Sequence, residues 1–117
     1  MKTHHDLELW KKSILLVTEI YKVTESYPKS ELYGLTNQIK RCAVSIPSNI
    51  AEGAARASSK EFAQYLSIAL GSIAELETQL IISHNLKFLE KTYLDRLLED
   101  IVTIRKMIGG LKKSILK

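Results

Sequence analysis

The chain has 117 residues, of which 45% are hydrophobic and 26% charged, and this size and composition fit one soluble helical domain over residues 1–117. With five Gly and two Pro the composition argues against disorder. No apolar run approaches the roughly 18 residues that span a bilayer, and the start of the sequence lacks the apolar core of a signal peptide. We therefore expect a cytoplasmic protein without a membrane partner. The formal net charge of +4 is modest, but residues 101–117 hold five Lys and Arg and no Asp or Glu.

The first predicted helix carries two apolar stripes and should end before Pro28. The first stripe has the alternating three- and four-residue steps of a helix that faces a bundle seam. Its members are Leu7, Trp10, Ile14, Val17 and Tyr21. The second stripe lies a quarter turn or more round the helix and contains Leu9, Leu16, Ile20 and Val23. One stripe serves the core of a single subunit, so the other predicts self-association.

The second helix is predicted to begin with Ser30 as its N-cap. Its stripe consists of Leu32, Leu35, Ile39, Cys42 and Ile46. The single cysteine lies on this stripe and has no internal disulfide partner, so it is predicted to be a buried thiol. Beyond Ile46 the stripe reaches polar positions as it crosses Pro47.

Pro47 removes one backbone donor and crowds the carbonyl of Ala43, at a cost of roughly 3 kcal/mol. We interpret the segment as a kinked helix in which polar side chains bond to the released carbonyls or join subunits. The candidate kink and assembly residues are Ser45, Pro47, Ser48, Asn49, Glu52 and Gly53. A ligand or nucleic-acid contact at this segment is the alternative. Glu52 and Arg56 also have the spacing of a helical ion pair.

The third helix is predicted to open with a capping box formed by Ser58 and Glu61. Its stripe is Phe62, Leu66, Ala69, Ile73, Leu76 and Leu80. Ala69 and Gly71 thin the helix at its centre, where a neighbouring helix can approach closely. The pattern fades after Asn85, so a connection is predicted at roughly 86–91.

The fourth helix is predicted to begin at a cap formed by Thr92 and Asp95. Its stripe holds the three-four alternation for three heptads and contains Leu94, Leu97, Ile101, Ile104, Ile108, Leu111 and Ile115. Because the stripe stays in phase beyond Gly109 and Gly110, we expect the helix to continue through both glycines, which mark a close contact or a point of fraying.

Four long helices with short connections predict an all-α fold, an antiparallel up-down-up-down four-helix bundle. The strict seven-residue repeat favours a left-handed supercoil. A dimeric helical array is the alternative.

The sequence offers little for catalysis. Di-metal carboxylate bundles need Glu-x-x-His on two helices, but Ile81 stands three residues before His84. No nucleophile elbow and no phosphate-binding glycine loop is present. We therefore expect a non-enzymatic protein with no catalytic residue, no metal site and no cofactor.

Basic residues suggest contacts with nucleic-acid phosphates. The candidates are Lys40, Arg41, Arg56, Lys60, Arg105, Lys106, Lys112 and Lys113. In a ring of identical subunits each contact repeats, which multiplies a salt-dependent affinity. The sequence shows no base-stacking platform and no helix-turn-helix spacing, so no sequence-specific reading is expected. The alternative is that the C-terminal cluster complements the helix dipole and solubilises the surface.

The segment from Ser45 to Gly53, Ser-Ile-Pro-Ser-Asn-Ile-Ala-Glu-Gly, resembles the four-helix bundle proteins encoded in 23S rRNA intervening sequences. Further similar runs are 6–11, 38–41, 62–69 and 107–111. The family is related to the accessory protein of diversity-generating retroelements, which accompanies a reverse transcriptase. The resemblance implies a ring of five subunits, and its basic relatives bind nucleic acid. It supplies no reaction and no catalytic residue.

Two functions therefore remain as hypotheses. The first is a homo-oligomeric bundle, a pentamer by resemblance, that binds RNA or DNA nonspecifically through phosphates. The second is a protein-interaction or scaffold module with no nucleic-acid role, whose partner is a reverse transcriptase or another protein.

Overall fold

The structure, a computed structural model, describes His4 and residues 7–117. Within this part of the chain there are four α-helices and no strand: α1 (Glu8–Thr24), α2 (Leu35–Ala54), α3 (Ser59–Asn85) and α4 (Lys91–Ile115). A short 3₁₀ turn, Lys29–Glu31, lies between α1 and α2. Helices α1 and α3 each contact both α2 and α4, and α2 and α3 share the most extensive contact. The all-α prediction is confirmed, and the packing is consistent with a bundle of 44 × 24 × 20 Å.

The core forms where the predicted stripes of α2, α3 and α4 meet. The largest fully buried side chains are all Leu or Ile, and the three helices contribute Ile39, Ile46, Ile50, Leu66, Ile73, Leu76, Leu80, Leu97, Ile101 and Ile104. Burying each such side chain contributes about 1.5–3 kcal/mol relative to exposing it. The stripes of these three helices are confirmed with two exceptions in that of α2: Leu32 lies outside α2 and is exposed, and Ile50, which the predicted stripe leaves out, is fully buried.

The two apolar stripes of α1 have the opposite roles to those that their spacing indicates. Leu9, Leu16 and Ile20, from the second stripe, are buried in the core. The first stripe lies at the edge of the bundle, where Ile14 is 39% exposed and Tyr21 is also exposed. The stripe that resembles a bundle seam is therefore the surplus one.

The predicted N-cap of α3 at Ser58 is confirmed, and Glu61 bonds back to the Ser58 hydroxyl and not to its backbone N–H as in a full capping box. The Ser58 hydroxyl accepts a hydrogen bond from the Glu61 N–H at 3.2 Å and donates one to Glu61 Oε1 at 3.1 Å. This arrangement satisfies one of the amide donors that a helix N-terminus leaves without a partner.

The predicted caps of α2 and α4 are wrong. After Pro28 the chain makes i→i+3 bonds, in which the N–H of Glu31 donates to the Pro28 carbonyl at 2.9 Å, so the chain forms a 3₁₀ turn and α2 begins only at Leu35. Helix α4 begins at Lys91, one residue before Thr92, without a side-chain cap. Asp95 is instead paired with Lys91 at 2.7 Å, so its carboxylate serves an ion pair and not a cap.

Helix α4 continues through Gly109 and Gly110, as predicted. A Cβ built at either position, or at Gly71 in α3, meets nothing within 4 Å. None of the three glycines is therefore required by a close contact within the described chain.

Helix α3 ends in a motif that places a lysine in the left-handed backbone region. Lys87 has φ 67°, its N–H donates to the His84 carbonyl, and the Phe88 N–H donates to the Ser83 carbonyl, both at 2.9 Å. These are the two bonds of a helix-terminating Schellman-type turn, in which glycine avoids a steric cost of about 1 kcal/mol or more.

Lys87→Gly is therefore expected to raise the free energy of unfolding by about 0.5–1 kcal/mol, since the relief of strain exceeds the added freedom of the unfolded chain. Urea unfolding followed by circular dichroism measures the change. Lys87→Ala is the matched control, because it removes the same long side chain but keeps Cβ. An equal gain in both variants would mean that the lysine side chain, and not the backbone, is the cause.

Among the described residues α3 is long and apolar enough to cross a membrane by length and composition, and 33% of the relevant window is buried in the protein. The sequence expectation that no segment reaches this threshold is thus corrected. Core helices of soluble proteins pass the same test, and α3 packs against both α2 and α4.

Candidate functional site

Helix α2 runs through Pro47 without interruption, and Pro47 itself is buried. The Ser45 hydroxyl donates to the Cys42 carbonyl, and the Asn49 side-chain amide donates to the Ser45 carbonyl, both at 2.7 Å. These bonds end on carbonyls that flank the one released by proline, that of Ala43. Neither bond ends on the Ala43 carbonyl itself, so the predicted bond to the released carbonyl is not one that Ser45 or Asn49 makes.

The same segment joins α2 to α3 through polar contacts. The Ser45 and Ser72 hydroxyl oxygens are 2.6 Å apart, and the Cys42 thiol donates to the Ser72 carbonyl at 3.0 Å. Burial, with a smaller contribution from the nearby Glu75 carboxylate, raises the pKa of the Cys42 thiol to about 12. The prediction of a buried thiol is confirmed, and Cys42 stays protonated at neutral pH.

Gly53 lies where α2 and α3 approach each other closely. A Cβ at this position would be 2.7 Å from Tyr65 Cβ and 2.8 Å from Phe62 Cδ1. Because both atoms belong to α3, the missing side chain admits the neighbouring helix. Gly53 thus has a packing role inside the subunit.

The predicted ion pair between Glu52 and Arg56 is present, with Oε2 and Nη2 3.6 Å apart. Arg56 Nη2 also donates to the Tyr65 hydroxyl at 2.6 Å, and its guanidinium carbon is 4.9 Å from the centroid of the Tyr65 ring. The guanidinium is therefore positioned by a carboxylate and by a cation–π contact.

An apolar groove of about 340 Å³ lies between α1 and α2. We call it the α1–α2 groove, and its lining residues are Trp10, Ile14, Val17, Thr18, Val44, Pro47, Ser48 and Ala51. It contains no charged side chain, and Ile14 and Val44 are exposed at 39% and 38%. The groove joins the surplus stripe of α1 to two of the candidate assembly residues, Pro47 and Ser48.

The structure divides the eight basic candidates into two groups. Three have partners: Lys40 Nζ lies 4.8 Å from the centroid of the Tyr21 ring, Arg105 donates to Glu77 Oε2 at 3.1 Å, and Arg56 is paired as above. The other five make no ion pair with any described carboxylate, and they are Arg41, Lys60, Lys106, Lys112 and Lys113. Exposed pairs contribute about 0–1 kcal/mol, so even the paired arginines can exchange a carboxylate for a phosphate.

Across the described part of the chain, no group of three or more His, Cys, Asp or Glu is placed to hold a metal ion. His84 Nδ1 lies 2.9 Å from the Leu89 carbonyl oxygen, where its N–H donates. This bond ties the end of α3 to the segment that leads into α4.

Sequence reasoning missed a second crevice, which has a volume of about 560 Å³. It lies between the end of α1 and the α3–α4 connection, and charges of both signs line it, from Glu19, Lys22, Glu25, Lys87, Glu90 and Arg96. Arg96 Nη2 and Glu19 Oε2 are 3.4 Å apart across it. No motif marks the crevice, because its members come from two segments, 19–26 and 87–96, that are far apart in the sequence.

The fold and these surfaces define a small all-α protein of four packed helices with an exposed apolar groove. The family model described as 23S rRNA-intervening sequence protein matches residues 5–110. The chain belongs to this family, which confirms the resemblance inferred from the Pro47 segment. No curated protein gives a significant match to the chain.

Proposed function

We propose that the protein is a non-catalytic, self-assembling four-helix bundle of the cytoplasm that binds RNA or DNA through phosphate contacts. The observation that supports the proposal most strongly is the uneven distribution of charge along the bundle. Where the positive charge lies along the bundle depends on the directions in which neighbouring helices run.

The proposed order is antiparallel, up-down-up-down. Between α2 and α3, Ser45 meets Ser72 and Gly53 meets the side of α3 at Phe62, so residue numbers rise in one helix as they fall in the other. Between α1 and α2, the ring of Tyr21 meets Lys40, whereas the start of α1 lines the groove together with Ala51. The seven-residue spacing of α4 favours a left-handed supercoil.

In this order one half of the bundle comprises residues 8–18, 43–74 and 106–117. It holds eight Lys and Arg but three Asp and Glu. The opposite half, residues 19–42 and 75–105, holds eight Lys and Arg and nine Asp and Glu. One half of the bundle is therefore strongly positive, although the net charge of the chain is modest. Four of the unpaired candidates lie there: Lys60, Lys106, Lys112 and Lys113.

Assembly amplifies this positive half. The family resemblance implies a ring of five subunits, in which each basic residue repeats round the ring. Because every neutralised phosphate releases counterions, affinity rises steeply with the number of contacts and falls steeply with salt. The contacts are to phosphates, so the expected binding is nonspecific.

The test compares two variants that each lose four positive charges. Lys60, Lys106, Lys112 and Lys113 become Gln in the first, and Lys22, Lys29, Lys87 and Lys91 become Gln in the control. With single-stranded RNA at about 50 mM salt, the first variant should lose more than tenfold in affinity and show a shallower salt dependence, whereas the control should change little. Equal losses in both variants would reject the positive half as the binding surface, and no retention of the wild-type protein would reject nucleic-acid binding.

The second candidate function is a protein-interaction or scaffold module, which the α1–α2 groove favours because exposed apolar surface of this kind marks interaction sites. Purification of the tagged protein from its host, with and without nuclease, separates the two functions. A reverse transcriptase or other protein bound through the groove should remain after nuclease treatment. Loss of all partners on nuclease treatment favours the nucleic-acid role.

A further inference from the structure

The outer side of α3 presents a second apolar surface. Ile68 and Ile82 are 52% and 43% exposed, and residues 62–74 contain no charged residue on any side of the helix. Ile68, Gly71, Glu75 and Ile82 follow one another at three-, four- and seven-residue steps and so share one side of α3. We call this set the α3 ridge.

Gly71 lies at the middle of the α3 ridge. It is exposed, and a Cβ built there meets nothing within 4 Å. Glycine destabilises an exposed helix relative to alanine, and here no contact within the subunit offsets that loss. The open space at Gly71 is therefore available to a group from another molecule.

The α3 ridge and the α1–α2 groove lie at the same level of the bundle. In the antiparallel order Ser45 faces Ser72, so the groove residues of α2 are level with the middle of α3. At 1.5 Å per residue the ridge is about 21 Å long, and α1 runs about 16 Å from Trp10 to Tyr21. The two surfaces are thus comparable in length and belong to different sides of one chain.

Charge also favours a fit between them. Lys40 lies one turn of α2 before the groove residue Val44, over the Tyr21 ring, and Glu75 interrupts the otherwise uncharged ridge. Neither makes an ion pair within the described chain. Both lie toward the same end of the bundle from the groove centre, so the two side chains would meet if the surfaces packed together.

We propose that the α3 ridge of one copy packs into the α1–α2 groove of the next copy, with Lys40 of one copy paired to Glu75 of the other. The inference rests on the self-assembly in the proposed function and names its two surfaces. Two different surfaces make a head-to-tail interface. Because they lie at one level, successive copies rotate without shifting along the bundle, which is the condition for a closed ring and disfavours a helical filament.

Complementation tests this interface. Ile68→Glu damages only the ridge and Ile14→Glu only the groove, so each variant alone should be a monomer by light scattering. An equimolar mixture should form a one-to-one dimer through the single intact interface. Leu15→Glu is the matched control, since Leu15 is 66% exposed on α1 but lines neither surface, and it should assemble like the wild-type chain.

Charge reversal gives an independent test. Lys40→Glu and Glu75→Lys should each weaken assembly at least tenfold at low salt, and the double variant should restore it. Circular dichroism establishes that each variant is folded. If either glutamate variant unfolds, Gly71→Leu replaces the ridge variant and Val44→Glu the groove variant.

The outcomes separate the two proposals. A monomeric wild-type protein rejects self-assembly itself. A wild-type oligomer that survives Ile68→Glu but not Ile14→Glu indicates groove-to-groove pairing and overturns the ridge. The ridge-to-groove interface is also overturned if the mixture fails to dimerise or if the double charge reversal fails to restore assembly. A monomeric wild-type chain that floats with lipid vesicles through Ile68 overturns it as well.

Discussion

Gly53→Ala is expected to lower the free energy of unfolding by about 2 kcal/mol. The new methyl group would lie 2.7 Å from Tyr65 Cβ, an atom fixed to the α3 backbone, and 3.3 Å from the Phe62 carbonyl oxygen. Helix α3 must therefore move away from α2. Overpacking of this kind costs about 1–3 kcal/mol, occasionally more, and the better helix propensity of alanine offsets up to about 1 kcal/mol.

Gly110→Ala is the matched control for this variant. Gly110 is also helical, but a Cβ there meets nothing within 4 Å, so the same substitution should raise the free energy of unfolding by up to about 1 kcal/mol. Urea unfolding at a fixed protein concentration measures both. Equal changes in the two variants would show that α3 does not require the space at Gly53.

Pro47→Ala is expected to stabilise the isolated subunit by about 2 kcal/mol and to weaken its assembly. Alanine restores the N–H that the Ala43 carbonyl lacks, which recovers roughly 3 kcal/mol, while the freer unfolded chain offsets up to about 1 kcal/mol. The substitution also removes an apolar ring from the α1–α2 groove. Unfolding at low protein concentration reports the first effect, because assembly raises the apparent stability by mass action.

Light scattering reports the effect of Pro47→Ala on subunit number. Asn49→Leu, which loses the bond to the Ser45 carbonyl, and Glu52→Ala, which loses the pair with Arg56, should act in the same direction. Leu15→Glu again provides the reference. An unchanged subunit number in all three variants would remove the Pro47 segment from the assembly surface.

Much of the fold is predictable because it depends on short-range order. Helical periodicity correctly placed the core side chains of α3 and α4 and those of α2 as far as Ile46, although it missed Ile50, and the N-cap at Ser58 needs only a neighbour three residues away. The orientation of α1 was not predictable, since either apolar stripe fits a seam and only packing against the other helices selects one. The cap at Ser30 failed because Pro28 leads into a 3₁₀ turn instead.

In the candidate site, too, local features could be predicted and long-range contacts could not. The proline and its polar neighbours drew attention to residues 45–53 from the sequence alone. The reason for Gly53 depends on Phe62 and Tyr65, whose approach requires the pairing of two helices. Similarly, Arg105 is one of several basic residues near the end of the chain, and nothing in its local sequence sets it apart. Only the fold places Glu77, 28 positions earlier, beside it. Periodicity along one helix carries no information on such contacts.

The α2–α3 contact has a consequence for the kinetics of folding. Only the four residues 55–58 separate these helices, and Gly53 meets Phe62 across nine positions of sequence. Closing so short a loop costs little entropy, and chains rich in local contacts fold quickly. The hairpin of α2 and α3 is therefore the expected folding nucleus, so that Gly53→Ala should slow folding more than it speeds unfolding. The glycine that allows two helices to touch would then also determine how soon the chain finds its fold.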